Sequence, residues 1–190
     1  MDVIGISGSL RRGSYNTALL RAAAAVAPDD LTIERASIAD VPLYDADRER
    51  EEGIPEPVRR LKDRIASADG LLLATPEYNN SLPGVFKNAI DWLTRPPKDI
   101  DRVFGDRRVG MIGATPGRGG TRLAQLAWLP VFRTLGMRPW LGKQLHVAGA
   151  AEMFDADGEL VDDEIRRLLT EYVAGFAAFL REPSDRHQTT

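Results

Sequence analysis

Residues 2–16 read Asp2-Val3-Ile4-Gly5-Ile6-Ser7-Gly8-Ser9-Leu10-Arg11-Arg12-Gly13-Ser14-Tyr15-Asn16, and an alanine- and leucine-rich run follows to Ala27. The order is a short apolar strand over 2–6, a loop of small and polar residues, and a helix over 16–27. That succession is the build of a phosphate-binding turn. Small residues let backbone N–H groups approach an anion, the helix N-terminus adds partial positive charge, and hydroxyls and arginines add donors.

Strand and helix signals keep alternating beyond this turn. Leu31 to Ala36 reads as a second strand, and Tyr44 to Pro55 as a charged loop. Val58, Leu61 and Ile65 mark one face of a helix entered through Pro57. Gly70 to Ala74 is a short apolar run, the signature of a strand buried on both faces. Val85, Phe86, Ala89, Ile90 and Leu93 form a helical stripe entered at Pro83. Val109 to Ala114 reads as the fourth strand, Thr121 to Thr134 as a helix that Pro130 is expected to kink, and Pro139 to Val147 as the fifth strand. A turn at Asp155-Ala156-Asp157-Gly158 precedes a last helix with Ile165, Leu168, Leu169, Tyr172, Val173, Phe176 and Leu180 on one face. Repeated βα units predict an α/β fold: a doubly wound five-stranded parallel sheet in three α/β/α layers. A single domain is expected over 1–182, with a disordered polar tail over 183–190.

Composition narrows the chemistry. The chain has 190 residues, a hydrophobic share of 43% and a formal net charge of −3. Its arginines are interspersed with acids, so no basic stripe suggests nucleic acid. No apolar run is long enough to span a bilayer. The N-terminus lacks the pattern of a signal segment, so a cytoplasmic location is expected. Cysteine is absent, which excludes disulfides, thiolate metal sites and dithiol redox chemistry. His146 and His187 are the only histidines, so no metal site is expected; His146 ends a strand-like run and reads as structural, and His187 lies in the tail. Redox work, if the protein does any, needs a bound cofactor.

Two familiar phosphate loops fail against 5–16. Ile6-Ser7 separates Gly5 from Gly8, which breaks G-x-G-x-x-G. Gly8 and Gly13 have the spacing of G-x-x-x-x-G-K-[ST], but Ser14-Tyr15 replaces the lysine that would hold the β- and γ-phosphates. What remains is Ser9, Ser14 and Asn16 as hydrogen-bonding groups and Arg11 or Arg12 as a bidentate cation. That set suits one terminal phosphate, such as that of FMN, better than a bridging pyrophosphate. The competing reading is an ordinary βα loop with Asn16 as the helix N-cap.

In a doubly wound sheet, ligands bind at the carboxyl ends of the strands near the topological switch point. The loops after strands one, three and four should therefore converge. The second of these, Thr75-Pro76-Glu77-Tyr78-Asn79-Asn80-Ser81-Leu82-Pro83-Gly84, offers an aromatic, amides, a carboxylate and a hydroxyl between stiffening prolines. It suits a planar heteroaromatic ring; the alternative is a rigid turn into a helix. The third, Thr115-Pro116-Gly117-Arg118-Gly119-Gly120-Thr121, either cradles the ring edge with Gly117 and Gly119, or holds a second anion through Arg118 and Arg122, or is a flexible connector.

The loop from Gly8 to Asn16, the block from Thr75 to Arg95 (TPEYNNSLPGVFKNAIDWLTR) and the glycine loop resemble the NADPH-dependent FMN reductase family, and within it the bacterial chromate and quinone reductases. The likeness runs from about residue 2 to 181 and includes Val41 to Asp47. It implies a flavodoxin-like fold, FMN as cofactor, NADPH or NADH as electron donor, a small-molecule electron acceptor, and a homodimer or homotetramer. By position it implies that Ser9, Arg11, Ser14, Asn16 and Thr17 hold the FMN phosphate and that Pro76, Glu77, Tyr78 and Asn79 line the isoalloxazine. Asn80 stands where relatives often carry an aromatic, and with Arg118 and Arg122 it is a candidate for substrate contact.

The expected activity is FMN-dependent NAD(P)H oxidation with quinones or similar acceptors, among them chromate, azo compounds or free flavin, by ping-pong hydride transfer. The rival readings are a flavodoxin-type electron carrier and a flavin reductase that supplies reduced FMN to a monooxygenase. The catalytic residue is unknown because the flavin carries the chemistry; Glu77 is the acid/base candidate. Phe86, Trp92 and Trp128 are expected to supply an aromatic surface for self-association.

Overall fold

A computed structural model describes residues 1–183. The chain runs β1 (Asp2–Ser7), α1 (Tyr15–Ala25), β2 (Thr32–Ala36), α2 (Ala46–Glu52), α3 (Glu56–Ser67), β3 (Gly70–Ala74), α4 (Gly84–Leu93), a single 3₁₀ turn (Pro97–Asp99), α5 (Ile100–Phe104), β4 (Arg108–Ala114), α6 (Arg122–Thr134), β5 (Arg138–Pro139), β6 (Leu145–Val147), α7 (Ala150–Met153) and α8 (Asp163–Arg181). The strands pair in parallel in the order β2-β1-β3-β4-β5, with β6 also on β4. This is the doubly wound flavodoxin-like order, with its switch point between β1 and β3.

The central strand β3 is buried at every position, as a parallel strand covered on both faces must be. Its residues alternate between two cores. Leu71 and Leu73 pack with Val58, Ile65, Phe86, Trp92 and Trp128, under α3, α4 and α6. Leu72 and Ala74 pack with Leu19, Ala23, Tyr172 and Phe176, under α1 and α8. Three layers result, and all ligand-facing loops leave the carboxyl edge of the sheet. Among the described residues no helix is long and apolar enough to cross a membrane.

Three expectations change. The fifth strand is two pieces, 138–139 and 145–147: the Trp140 N–H still donates to the Val109 carbonyl, the chain then leaves β4 until Leu145, and the Trp140 ring meets Tyr172 edge-on at a centroid distance of 4.7 Å. The charged stretch after Tyr44 contains α2, which is started by the Asp45 side chain accepting from the Asp47 and Arg48 N–H groups. Phe86, Trp92 and Trp128 form no aromatic surface; each is fully buried, with Phe86 edge-on to Trp128 at 5.0 Å. Helix α6 continues through Pro130. The tail expected over 183–190 lies, beyond Pro183, outside the described residues, as does His187.

Candidate functional site

The loops after β1, β3 and β4 meet at the carboxyl edge. The first loop leaves β1 with the Gly8 N–H donating to the Ala74 carbonyl at 2.9 Å. A Cβ at Gly8 would stand 2.2 Å from a Phe86 ring carbon and 3.0 Å from Pro76, so only glycine permits this seam between the first and second loops. The second loop leaves β3 with the Thr75 N–H on the Ile112 carbonyl, and the Thr75 hydroxyl accepts from the Trp128 indole N–H at 3.1 Å. At Gly113 a Cβ would meet the Thr121 hydroxyl at 2.0 Å and the Thr75 carbonyl at 2.5 Å. The third loop thus folds directly over the root of the second.

Asn16 closes the remaining gap. Its amide donates to the Ala114 carbonyl at 2.8 Å and accepts from the Ala114 N–H at 3.0 Å. Both groups face the position that β3 vacates when it ends, since the Ile112 carbonyl two residues earlier faces Thr75. The Asn16 amide therefore stands in for the missing peptide of the neighbouring strand. The side chain is buried. This corrects the N-cap reading: the helix N-cap is Ser14, whose hydroxyl oxygen accepts from the Thr17 N–H at 3.2 Å, while the Asn16 amide bonds to Ala114.

The rest of the first loop is a chain of hydroxyls. The Ser7 hydroxyl oxygen accepts from the Ser9 N–H and from the Thr17 hydroxyl at 3.1 Å, and the Ser9 hydroxyl oxygen accepts from the Arg11 N–H. Ser14 keeps its O–H to donate. The first N–H groups of α1, at Tyr15 and Asn16, have no acceptor within their own helix. The Arg11 guanidinium lies over the Tyr15 ring, 5.0 Å from its centroid. The donor set fits a phosphate monoester: hydroxyl O–H groups, helix-terminal N–H groups and a guanidinium.

In the second loop the local chemistry differs from expectation. Tyr78 and Ser81 exchange both backbone hydrogen bonds at 3.0 Å. Asn79 and Asn80 between them have φ of 50° and 61°. This is a two-residue hairpin turn that requires left-handed backbone at both central positions, which asparagine tolerates better than other non-glycine residues. Turn geometry thus accounts for the Asn-Asn pair, whose side chains are exposed beside the half-exposed Tyr78 ring. Glu77 is also committed: one carboxylate oxygen accepts from the Leu123 and Ala124 N–H groups at 2.8 and 3.0 Å. It caps α6 from outside, where the helix dipole favours a negative charge. That contact accounts for its position in the loop. Pro76 is buried against Gly8.

The third loop is held from below. Gly117 donates to the Thr115 hydroxyl, and its carbonyl accepts from Gly149. Gly120 has φ of 64° and is backed by His146. Burial is the main reason the His146 pKa is lowered, and Arg122 adds to it. Gly117, Arg118, Gly119 and Arg122 are exposed on the rim.

Many arginines of the protein pair with acids, as Arg95 does with Glu49, Arg181 with Asp30 and Arg64 with Glu34. Arg11, Arg12, Arg35, Arg118 and Arg122 all lie on the carboxyl edge, and none forms an ion pair with a carboxylate among the described residues. An edge with this many uncompensated cations is electrostatically prepared for anionic ligands.

Comparison with known proteins agrees with this geometry. Residues 1–152 match the family model for NADPH-dependent FMN reductase. An NAD(P)H-dependent FMN reductase of Pseudomonas aeruginosa is 41% identical over 181 residues, covering 95% of this chain and 96% of that protein. A 2-hydroxy-1,4-benzoquinone reductase of a Burkholderia species is 37% identical over 182 residues, with coverages of 96% and 97%. The solved structure of a flavoenzyme NAD(P)H:(acceptor) oxidoreductase from Paracoccus denitrificans superposes with a TM-score of 0.84 at 34% identity, covering 94% of this chain and 96% of that one.

Proposed function

Because this chain belongs to the NADPH-dependent FMN reductase family, we propose that it is an FMN-dependent oxidoreductase that takes reducing equivalents from NAD(P)H and passes them to a quinone. The observation that carries the reading is the carboxyl edge itself. A phosphate-ready helix terminus at Ser14, with Arg11 free of any carboxylate partner, stands beside a rigid hairpin that presents Tyr78.

In this reading Ser9, Ser14, Arg11 and the first-turn N–H groups of α1 hold the FMN phosphate. Thr17 buttresses Ser7, and Asn16 fixes the helix terminus relative to β4. The Tyr78–Ser81 hairpin and the Gly117–Gly119 stretch would flank the isoalloxazine. When bound, FMN would supply the two-electron chemistry that links donor to acceptor. The protein positions and shields the ring, and no side chain needs to move a proton for the hydride step. Asn80, Arg118 and Arg122 stand on the rim where donor and acceptor would enter. With one shared site for both, donor and acceptor would alternate.

We propose self-association as part of the same reading, through exposed apolar residues rather than tryptophans. Val85 at the start of α4 and Leu123 and Leu126 at the start of α6 are 37%, 45% and 50% exposed. Light scattering of the FMN-loaded protein tests this, and a monomeric mass at micromolar concentration overturns it.

Steady-state kinetics test the activity. Varying NADPH or NADH at several fixed benzoquinone concentrations should give parallel double-reciprocal lines. Donor oxidation that needs a partner protein instead of quinone would identify an electron carrier. Loss of flavin from the protein during turnover would identify a flavin-releasing reductase.

A further inference from the structure

Trp128 lies in the core, yet its indole N–H is linked to the backbone of the second loop through one hydroxyl. The side chain is fully buried, with its ring edge-on to Phe86 at 5.0 Å and stacked on Phe132 at 6.0 Å. A buried indole N–H needs an acceptor, and here it is the Thr75 hydroxyl oxygen at 3.1 Å. Thr75 is itself fully buried, and its N–H is held on the Ile112 carbonyl at 2.9 Å. Its single hydroxyl hydrogen donates to the Pro76 carbonyl at 3.0 Å. The result is a directed chain from indole N–H to hydroxyl to carbonyl, in which each bond polarises the next.

This chain fixes the one torsion that Pro76 leaves open. The proline ring sets φ, so ψ alone decides which way the following peptide faces. With the Pro76 carbonyl turned in toward Thr75, the planar trans peptide turns the Glu77 N–H the opposite way, out of the core. The other side of that peptide is pinned too, by the Glu77 carboxylate on the Leu123 and Ala124 N–H groups. The Glu77 N–H has no acceptor among the described residues. Neither neighbour can replace it as a donor, since Pro76 has no N–H and that of Tyr78 is taken by the Ser81 carbonyl. We propose that Trp128 and Thr75 are positioning residues that hold the Pro76–Glu77 peptide so that the Glu77 N–H donates to a carbonyl oxygen on the pyrimidine side of the flavin ring. Addition of a hydride leaves one negative charge on that side of the ring. A donor fixed there in advance favours the reduced cofactor and raises its potential. The inference rests on the FMN-binding reading above and adds to it two fully buried residues that tune the cofactor.

Spectroelectrochemistry of the FMN-loaded protein and three variants tests this. Thr75→Val keeps the shape of the side chain and removes both hydroxyl contacts. It should weaken the preference for reduced over oxidised FMN about ten-fold, the worth of one hydrogen bond to a charged group. For a two-electron couple that is a fall of about 30 mV in the midpoint potential. Trp128→Phe keeps a buried ring but leaves the Thr75 hydroxyl free to turn, and should lower the potential by less. Thr75→Ser retains the hydroxyl and should return the potential to that of the parent. Urea unfolding of the flavin-free proteins supplies the control, because a purely structural role for these bonds lowers stability without moving the potential. If Thr75→Val does not fold, the comparison of Trp128→Phe with Thr75→Ser decides alone. Destabilised variants that keep the parent potential would overturn the assignment, and so would a Thr75→Ser potential as low as that of Trp128→Phe. A parent protein that retains no FMN gives a different failure, which sinks the flavoenzyme reading and this inference with it.

Discussion

Replacing Asn16 with alanine separates a structural role for this residue from a ligand-binding one. Its amide makes two buried hydrogen bonds, to the N–H and to the carbonyl of Ala114. Truncation removes both and leaves two backbone groups without partners at the end of β4, where β3 no longer runs alongside. Net hydrogen-bond contributions near 1 kcal/mol each, with the added cost of buried groups left unpaired, put the loss at about 2–4 kcal/mol. Against a total stability of about 5–15 kcal/mol, that is a large fraction. For a chain of this size it corresponds to a fall in Tm of roughly 5–15 °C. Asn16→Asp should fail too, because a carboxylate accepts from the Ala114 N–H but cannot donate to its carbonyl. The assay is urea unfolding of the flavin-free protein, so that ligand binding cannot contribute. FMN affinity should also fall, as the α1 terminus loses its fixed distance from β4. An Asn16→Ala protein with unchanged unfolding but weakened FMN binding would refute this reasoning and return Asn16 to direct phosphate contact.

Further consequences follow from the same contacts. Glu77→Ala removes the external cap of α6 and should destabilise by about 1–2 kcal/mol, with no loss of a limb from the pH–rate profile; a lost limb at unchanged stability would make Glu77 an acid/base residue. At the hairpin, Asn79→Ala and Asn80→Ala should each cost about 1 kcal/mol because both positions are left-handed, whereas glycine at either should be neutral or better; equal effects of alanine and glycine would point to side-chain contacts instead. Lys62 is buried and donates to Asp99, and this hydrogen bond is the main cause of the lowered Asp99 pKa. A depressed carboxylate stabilises the fold above its unfolded value of about 3.9, and that stabilisation is lost as pH falls through the folded value. The urea midpoints of the parent protein and Asp99→Asn should therefore differ at neutral pH and converge below about pH 4. A gap that stays constant under acid would contradict the assignment.

Much of the fold is legible in the sequence because its signals are local. The five apolar residues at 70–74 can only be a strand buried on both faces, and the small polar loop between an apolar strand and an alanine-rich helix announces the β1–α1 turn. The split edge strand is not legible. Nothing between Pro139 and Val147 reveals that the chain leaves β4 after Trp140 and rejoins it only at Leu145, or that the Trp140 ring meets Tyr172 in the final helix. Helix α2 has no apolar stripe and is held by its Asp45 cap and by pairs such as Arg48–Glu52; Asp45 itself was the available signal.

At the site, the sequence directs attention to the loops after β1, β3 and β4, but the contacts that Asn16 and Glu77 make within the fold are not legible in it, because their partners lie far along the chain, at Ala114 and at Leu123 and Ala124. The Asn79-Asn80 pair was readable as a turn from residue type alone.

The central claim is that the carboxyl edge of this sheet holds FMN and exposes it to NAD(P)H and a quinone in turn. Anaerobic flavin spectroscopy of the protein after equilibration with FMN tests it most directly. The account predicts one FMN retained per chain, bleaching of the visible flavin band on addition of NADPH or NADH, and full return of the band when benzoquinone is added, with the flavin still bound. A protein that retains no FMN, or whose bound FMN stays oxidised with both donors, would contradict it.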